Sequence, residues 1–402
     1  MVIMNALPRI YDSLLREHLK AHRQMVFMSG PRQVGKTTAA RQVADFYLDW
    51  DNRSHQSLIL KGPEAVAEHC GLHMASESLP ILLFDELHKF PRWKNFLKGM
   101  FDTYETRCRI VVTGSAKLDV YRRGGDSLMG RYFPYRLHPF SVAELLRSEW
   151  TEAVTAPAQK LDEAAWQALL THGGFPEPFL KQSNSFSTRW RNQRNERLFK
   201  EELRDLTRIQ EFALLEILGR ILESRSGEQL IFSNLATSVQ VAPNTIKEWV
   251  NTLVSTYYGF LVRPWFKNVT KALRKEPKWY LRDWSGIQDP GAKAETFAAC
   301  HLLKAVEFWT DLGRGKFDLY YLRDKQKREV DFLVVRDDQP WFLVEIKQHS
   351  TSLSPALHHF QKQTGARHAF QVVMELPYLN LNCFDYTQPT VVPARTFFSQ
   401  LI

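Results

Sequence analysis

The sequence predicts an α/β chain whose first part is a parallel sheet flanked by helices. A helical connector, a winged helix and a second α/β region follow. Three observations lead there. Gly30-Pro31-Arg32-Gln33-Val34-Gly35-Lys36-Thr37 fits the pattern G-x-x-x-x-G-K-T at every fixed position. An apolar run further on, Ile81-Leu82-Leu83-Phe84, ends in Asp85-Glu86. In the last third, Asp331 on one strand-like run is followed by Glu345-Ile346-Lys347 on the next.

The first pattern sits in the context that gives it meaning. Met25-Val26-Phe27-Met28 reads as a buried strand, and Thr38-Ala39-Ala40-Arg41-Gln42-Val43-Ala44 as the first turns of a helix. Strand, glycine loop and helix together cradle a triphosphate on inward-turned backbone N–H groups. Residues Gly30 to Thr38 are therefore expected at a nucleotide. Lys36 would reach its terminal phosphates and the Thr37 hydroxyl would hold Mg²⁺. Asp85 would hold the same ion through water, and Glu86 would polarise the attacking water, which argues for hydrolysis of the nucleotide. Arg109-Ile110-Val111-Val112-Thr113 is a third strand; it ends in Thr113 and Ser115, hydroxyls suited to orienting that water. Arg131 and Arg136 follow a turn rich in glycine (Gly124, Gly125, Gly130). Either one serves as an arginine finger for a neighbouring subunit, or both are ordinary surface arginines.

Composition narrows the class. With 402 residues, 44% hydrophobic and 24% charged, the chain has room for two or three domains with separate cores. No stretch approaches the ~20 consecutive apolar residues of a membrane span, and the N-terminus lacks the organisation of a secretory signal. Cys70, Cys108, Cys300 and Cys383 are widely separated and form no metal-ligand spacing. They read as reduced thiols of a cytoplasmic protein. A net charge of +9 points to an anionic partner, with nucleic acid first among them.

The charge is unevenly distributed. Between 189 and 208 the basic residues are interleaved with Glu196, Glu201, Glu202 and Asp205, the pattern of a solvated helix. Between 263 and 282, Arg263, Lys267, Lys271, Arg274, Lys275, Lys278 and Arg282 face a single acid, Glu276. Residues 230–253 just before it read as helix, turn, helix. Ser233 is the expected first cap, Asn244 or Thr245 the second, and Pro243 lies in the turn. Tyr258-Gly259-Phe260-Leu261-Val262 and Lys278-Trp279-Tyr280-Leu281 would then be wing strands around a basic loop. Lys267, Lys271, Arg274, Lys275 and Lys278 are the expected DNA contacts, although many winged helices bind only protein.

In the last third, period two puts Glu345 and Lys347 on one strand face, with Asp331 on the neighbouring strand and Glu295 on a preceding helix. Two carboxylates (Asp331 and Glu345) holding Mg²⁺ beside a lysine would make a metal-dependent phosphodiesterase site. A hairpin with a salt bridge from Glu345 to a lysine would read the same way.

Taken together, these motifs resemble the ATPases that pair an AAA-type domain of the AAA_14 group with a C-terminal DUF4143 region. The resemblance spans nearly the whole chain. It is carried by the phosphate loop, Phe84-Asp85-Glu86-Leu87-His88-Lys89-Phe90-Pro91-Arg92-Trp93, Thr113-Gly114-Ser115-Ala116, Gly130-Arg131 with Pro139-Phe140-Ser141, and Gly173-Gly174-Phe175-Pro176-Glu177. The winged-helix stretch, Glu329-Val330-Asp331-Phe332 and Glu345-Ile346-Lys347 complete it. It implies an AAA-like P-loop ATPase core over 1–150, a helical connector or lid over 151–225 and a winged helix over 226–284. A restriction-endonuclease-like PD-(D/E)xK domain would occupy 285–402. Lys36, Thr37, Asp85 and Glu86 take the ATPase positions, and Glu295, Asp331, Glu345 and Lys347 the nuclease-like ones. The expected function is a DNA-associated ATPase that binds ATP and Mg²⁺. It would act as a homo-oligomer to move or remodel DNA, whether duplex, branched or forked. The alternatives are an ATP-licensed nuclease of defence or repair, and a nucleotide-gated regulator that binds a protein partner.

Overall fold

The computed structural model describes residues 7–114, 128–203, 211–266 and 275–402. They form two compact units: Met1–His138 with Arg147–Thr151, and Pro139–Leu146 with Glu152–Ile402.

The first unit is built on five parallel strands: β1 (Met25–Ser29), β2 (Phe46–Asp49), β3 (Ile81–Asp85), β4 (Arg109–Thr113) and β5 (Tyr132–Arg136). Their order is β2-β3-β4-β1-β5, so β4 lies between the strand of the phosphate loop and the strand of Asp85. Strands β1, β3 and β4 are apolar on both faces, as a parallel sheet covered by helices requires. Met25, Phe27, Leu82, Phe84, Ile110 and Val112 share a buried cluster with Phe96, Leu97 and Met100 of the helix Trp93–Tyr104. Parallel pairing brings every strand's carboxyl end to one edge, where a sheet of this kind takes its ligands. The helix after the phosphate loop is shorter than expected, covering only Lys36–Arg41 before the chain turns.

The second unit has a seven-stranded mixed sheet. Its strands are β6 (Gly259–Pro264), β7 (Lys278–Leu281), β8 (Phe317–Arg323), β9 (Glu329–Arg336), β10 (Gln339–Lys347), β11 (His368–Val373) and β12 (Thr390–Pro393). The order is β12-β11-β10-β9-β8-β6-β7. The hairpin read as a wing is therefore no separate ribbon: β6 pairs in parallel with β8, and the hairpin extends the C-terminal sheet. The sequence limit expected near 284 falls inside one continuous sheet.

Helices Phe232–Val239 and Pro243–Ser255 form the expected helix pair, with Gln240 in the left-handed region at the turn (φ 61°). Ile246, Trp249, Val250 and Leu253 make the buried face. Pro243 is the first helical residue rather than part of the turn, a position where its missing N–H is harmless. Neither Ser233 nor Asn244 caps: Ile231 and Ala242 hold the cap positions, without side-chain hydrogen bonds.

Residues 139–146 belong to the second unit because its long helix, Pro290–Asp311, anchors them. The Lys304 ammonium, 2% exposed, donates to the Pro139 carbonyl at 3.0 Å and pairs with the buried Glu144 carboxylate. Val142 N–H donates to His301 Nε2 at 3.1 Å, while His301 Nδ1 donates to the Phe297 carbonyl at 2.8 Å. Burial pushes the His301 pKa down to about 3, so the imidazole stays neutral and keeps both roles. Lys304→Met leaves Glu144 without its ammonium partner. It is expected to lower unfolding stability by roughly 3–5 kcal/mol, read by denaturant titration.

Candidate functional site

The carboxyl edge of the five-stranded sheet assembles a compact polar site within the first unit. Gly30 begins the phosphate loop at φ 142°, and a Cβ there would meet the Leu137 carbonyl oxygen at 2.3 Å. Only glycine lets the loop pass that close to β5. Gln33 (φ 62°) and Gly35 (φ 98°) then turn the chain through left-handed conformations. Alternating turns of this kind point successive N–H groups inward, making an anion-binding concavity. The Lys36 ammonium lies over the loop, donating to the carbonyls of Gly30 at 2.9 Å and Pro31 at 2.7 Å. Thr38 is exposed.

Asp85 is the centre of the site. It is 6% exposed, and three hydroxyls from three separate elements donate to its carboxylate. Thr37 Oγ1 reaches Oδ2 at 2.9 Å, Tyr47 Oη reaches Oδ2 at 3.1 Å, and Thr113 Oγ1 reaches Oδ1 at 2.5 Å. Strand register explains the meeting, since Asp85 is paired with Asp49 on one side and with Thr113 on the other. Burial, then the Asp85 charge, raises the Tyr47 phenol well above its ordinary pKa, so it remains a donor. The Thr113 hydroxyl, expected to orient water, gives its proton to Asp85 and keeps its oxygen as an acceptor.

Glu86 follows in the left-handed region (φ 53°), its N–H bonded to the Thr113 carbonyl at 3.1 Å. This turn aims its side chain away from the strand direction. Lys89 Nζ approaches Glu86 at 3.2 Å and Asp51 at 2.5 Å, and His88 Nε2 lies 3.7 Å from the same Glu86 oxygen. Burial alone would lower the Lys89 pKa, but the hydrogen bond to Asp51 and the nearby Glu86 charge outweigh it and raise the value.

The donor set fits Mg²⁺. A threonine hydroxyl and a carboxylate already share a hydrogen bond at the mouth of the anion cradle, and both are hard oxygen ligands. Arg9 went unnoticed in the sequence. It is 5% exposed; its Nη1 donates to the Val34 carbonyl at 2.8 Å and its Nη2 to the His138 carbonyl at 2.6 Å. The loop's outward carbonyl is thereby fixed while its N–H groups face inward. The only clue in the sequence was an arginine opening an amphipathic helix, Ile10–Ala21.

Of the two arginines considered as fingers, Arg131 is paired with Asp102 at 2.6 Å, and Arg136 ends β5 in register with Ser29. Ser115, Lys267, Lys271 and Arg274 lie outside the described residues, and Lys275 is exposed.

Lys278 requires correction. Expected at a DNA surface, it is 3% exposed, because β7 is an integral strand of the C-terminal sheet. Its ammonium lies 2.9 Å from Glu295, 2.5 Å from Glu329 and 3.8 Å from Asp331. The nuclease-like quartet does converge around it. Ile346 N–H donates to Asp331 Oδ2 at 2.8 Å, Lys347 pairs with Glu345 at 2.7 Å, and the Tyr280 hydroxyl donates to Glu295 at 2.6 Å. Burial, then the Glu295 and Glu345 carboxylates, holds the Asp331 pKa well above the usual range. Burial also raises Glu345, against the pull of Lys347. The partners of Asp331 and Glu345, both expected at a metal, are the Lys278 ammonium, the Ile346 N–H and the Lys347 ammonium.

Comparison with known families decides the class. Residues 22–146 match the AAA domain model AAA_14, and residues 290–390 match DUF4143, a domain of unknown function. The chain carries an AAA domain of this kind followed by a C-terminal DUF4143 domain. Between the AAA domain and DUF4143, residues 163–287 match a further domain of unknown function, DUF8612. Two uncharacterized proteins, of Mycobacterium bovis and Mycobacterium tuberculosis, are each 26% identical over 360 residues, covering 85% of this chain and 74% of theirs. Among solved structures, the Aeropyrum pernix ORC1 protein in complex with DNA overlaps 73% of this chain and 93% of its own (12% identity, TM-score 0.32). Aquifex aeolicus DnaA bound to AMPPCP overlaps 60% and 86% (13% identity, TM-score 0.28). Among the described residues no helix is long and apolar enough to cross a membrane.

Arg9→Ala removes a charged donor from two carbonyls of the AAA domain. It is expected to cost roughly 2–3 kcal/mol of unfolding stability and to weaken nucleotide affinity; denaturant titration and nucleotide binding check the two effects separately.

Proposed function

We propose that this AAA-type protein hydrolyses ATP and couples the cycle to DNA. The observation that carries the ATPase reading is the Asp85 carboxylate, held by Thr37, Tyr47 and Thr113 beside a glycine cradle and followed directly by Glu86. Mg²⁺ held at Thr37 and Asp85 would neutralise charge that develops on the phosphates. The loop N–H groups bind the phosphate oxygens, and Lys36 moves from the loop carbonyls onto them. Glu86, turned out of the strand by its positive φ, accepts a proton from water aligned with the terminal phosphate. Lys89 sets the position of the Glu86 carboxylate. An arginine lent by a second copy, Arg131 or Arg136, would complete the site in an oligomer.

The DNA reading rests on the helix pair. On Pro243–Ser255 the exposed residues opposite the buried face include Asn244, Lys247 and Asn251, spaced i, i+3, i+7, with the acid Glu248 among them. Amide and ammonium groups on one helical face suit base edges and phosphates in a major groove. Lys275 and the net charge of +9 add electrostatic attraction. The cycle would then move or remodel the bound DNA, duplex or branched.

Glu86→Gln is expected to keep ATP binding while turnover falls by about 10²–10⁴-fold, and Lys36→Ala to lose binding. Unchanged turnover in both variants would remove the ATPase assignment. Turnover by the wild-type chain is expected to rise on adding duplex or four-way-junction DNA, and to lose that stimulation as salt increases. Turnover indifferent to every DNA form at low salt would favour a nucleotide-gated switch that binds protein.

A further inference from the structure

The acidic cluster of the seven-stranded sheet has the outline of a metal site but different contents. A metal held there would need Asp331 and Glu345, which carry four carboxylate oxygens between them. Asp331 Oδ1 faces Lys278 at 3.8 Å, and Oδ2 accepts the Ile346 N–H at 2.8 Å. Glu345 Oε1 takes the Lys347 ammonium at 2.7 Å, which leaves Glu345 Oε2 as the buried oxygen without a partner. Mg²⁺ demands near-octahedral oxygen coordination and gives up its water reluctantly, so one open protein oxygen is a poor anchor. The buried Lys278 ammonium stands against the Glu295, Glu329 and Asp331 carboxylates and would repel an incoming dication.

The secondary structure makes this arrangement deliberate. Lys278 and Tyr280 alternate on β7 and share a strand face, and both bond Glu295 of the helix Pro290–Asp311. Glu329 and Asp331 alternate in the same way on β9. Arg323 takes the other Glu329 oxygen at 2.9 Å, the Ile346 N–H serves Asp331, and the Tyr280 hydroxyl serves Glu295, so each acid that shares Lys278 has a second partner.

We propose that Lys278 is the resident cation of this cluster, and that the C-terminal sheet carries a metal-free ion-paired site rather than a metal-dependent phosphodiesterase. The inference is independent of the ATPase reading, since it concerns only residues of the second unit.

The test is Mn²⁺ binding by the nucleotide-free full-length chain, followed by calorimetry and by the melting temperature. The wild type is expected to bind no Mn²⁺ that depends on Asp331 or Glu345, and any response of its melting temperature to millimolar Mn²⁺ should be the same in Asp331→Asn and Glu345→Gln. Lys278→Gln strips the ammonium from three carboxylates, and Mn²⁺ should raise its melting temperature by about 2–4 °C or more beyond any rise in the wild type. Wild-type Mn²⁺ binding at one ion per chain, lost in Asp331→Asn or Glu345→Gln, would overturn the proposal. So would a folded Lys278→Gln chain that gains no response to Mn²⁺. Should Lys278→Gln fail to fold, the wild type compared with Glu345→Gln still decides the question.

Discussion

The hydrogen-bonded Asp85 carboxylate is the constraint on which the polar site at the carboxyl edge of the first sheet depends. An acidic group buried at 6% exposure is tolerable only if its oxygens are satisfied, and three hydroxyls from separate elements do this. Tyr47 brings β2, Thr113 brings β4, and Thr37 brings the first turn after the phosphate loop. The same contacts that offset the burial of one charge therefore fix the distance between the anion cradle and the acidic strand. Thr113 reaches Asp85 because β4 lies between β1 and β3, so the strand order is part of the site.

The two units treat buried charge differently. In the first, Asp85 meets neutral donors, so its negative charge stays available to a cation. In the second, Glu295, Glu329 and Asp331 meet Lys278, and Glu144 meets Lys304, so the charge is neutralised within the protein. That contrast distinguishes the proposed metal–nucleotide site from the proposed ion-paired one. Similar acidic strand ends thus meet neutral hydroxyls in one unit and an ammonium in the other.

Much of this was legible in the sequence where the relevant signal is local. The glycine loop, the apolar strand ending in Asp85-Glu86, and the Glu345–Lys347 alternation are set by neighbours within a few residues. The structure places each of them as its pattern requires. Arg9 and Tyr47 were not legible, because their roles are contacts with Val34 and Asp85 across long stretches of chain. Lys278 misled for a related reason. Its neighbours are basic and its segment reads as a wing, yet β6 pairs with β8 and carries β7 into the sheet. The acids that neutralise it belong to the helix Pro290–Asp311 and to β9, which no local count of charge includes.

In the proposed function, Asp85, held by its three hydroxyls, presents a carboxylate to a metal-bound nucleotide. Calorimetric titration of ATP into the wild type and into Asp85→Asn, each with and without Mg²⁺, tests it most directly. Mg²⁺ is expected to tighten ATP binding in the wild type, and this gain to disappear in a folded Asp85→Asn chain. Equal affinity with and without Mg²⁺ in the wild type, or an undiminished Mg²⁺ effect in Asp85→Asn, would contradict it.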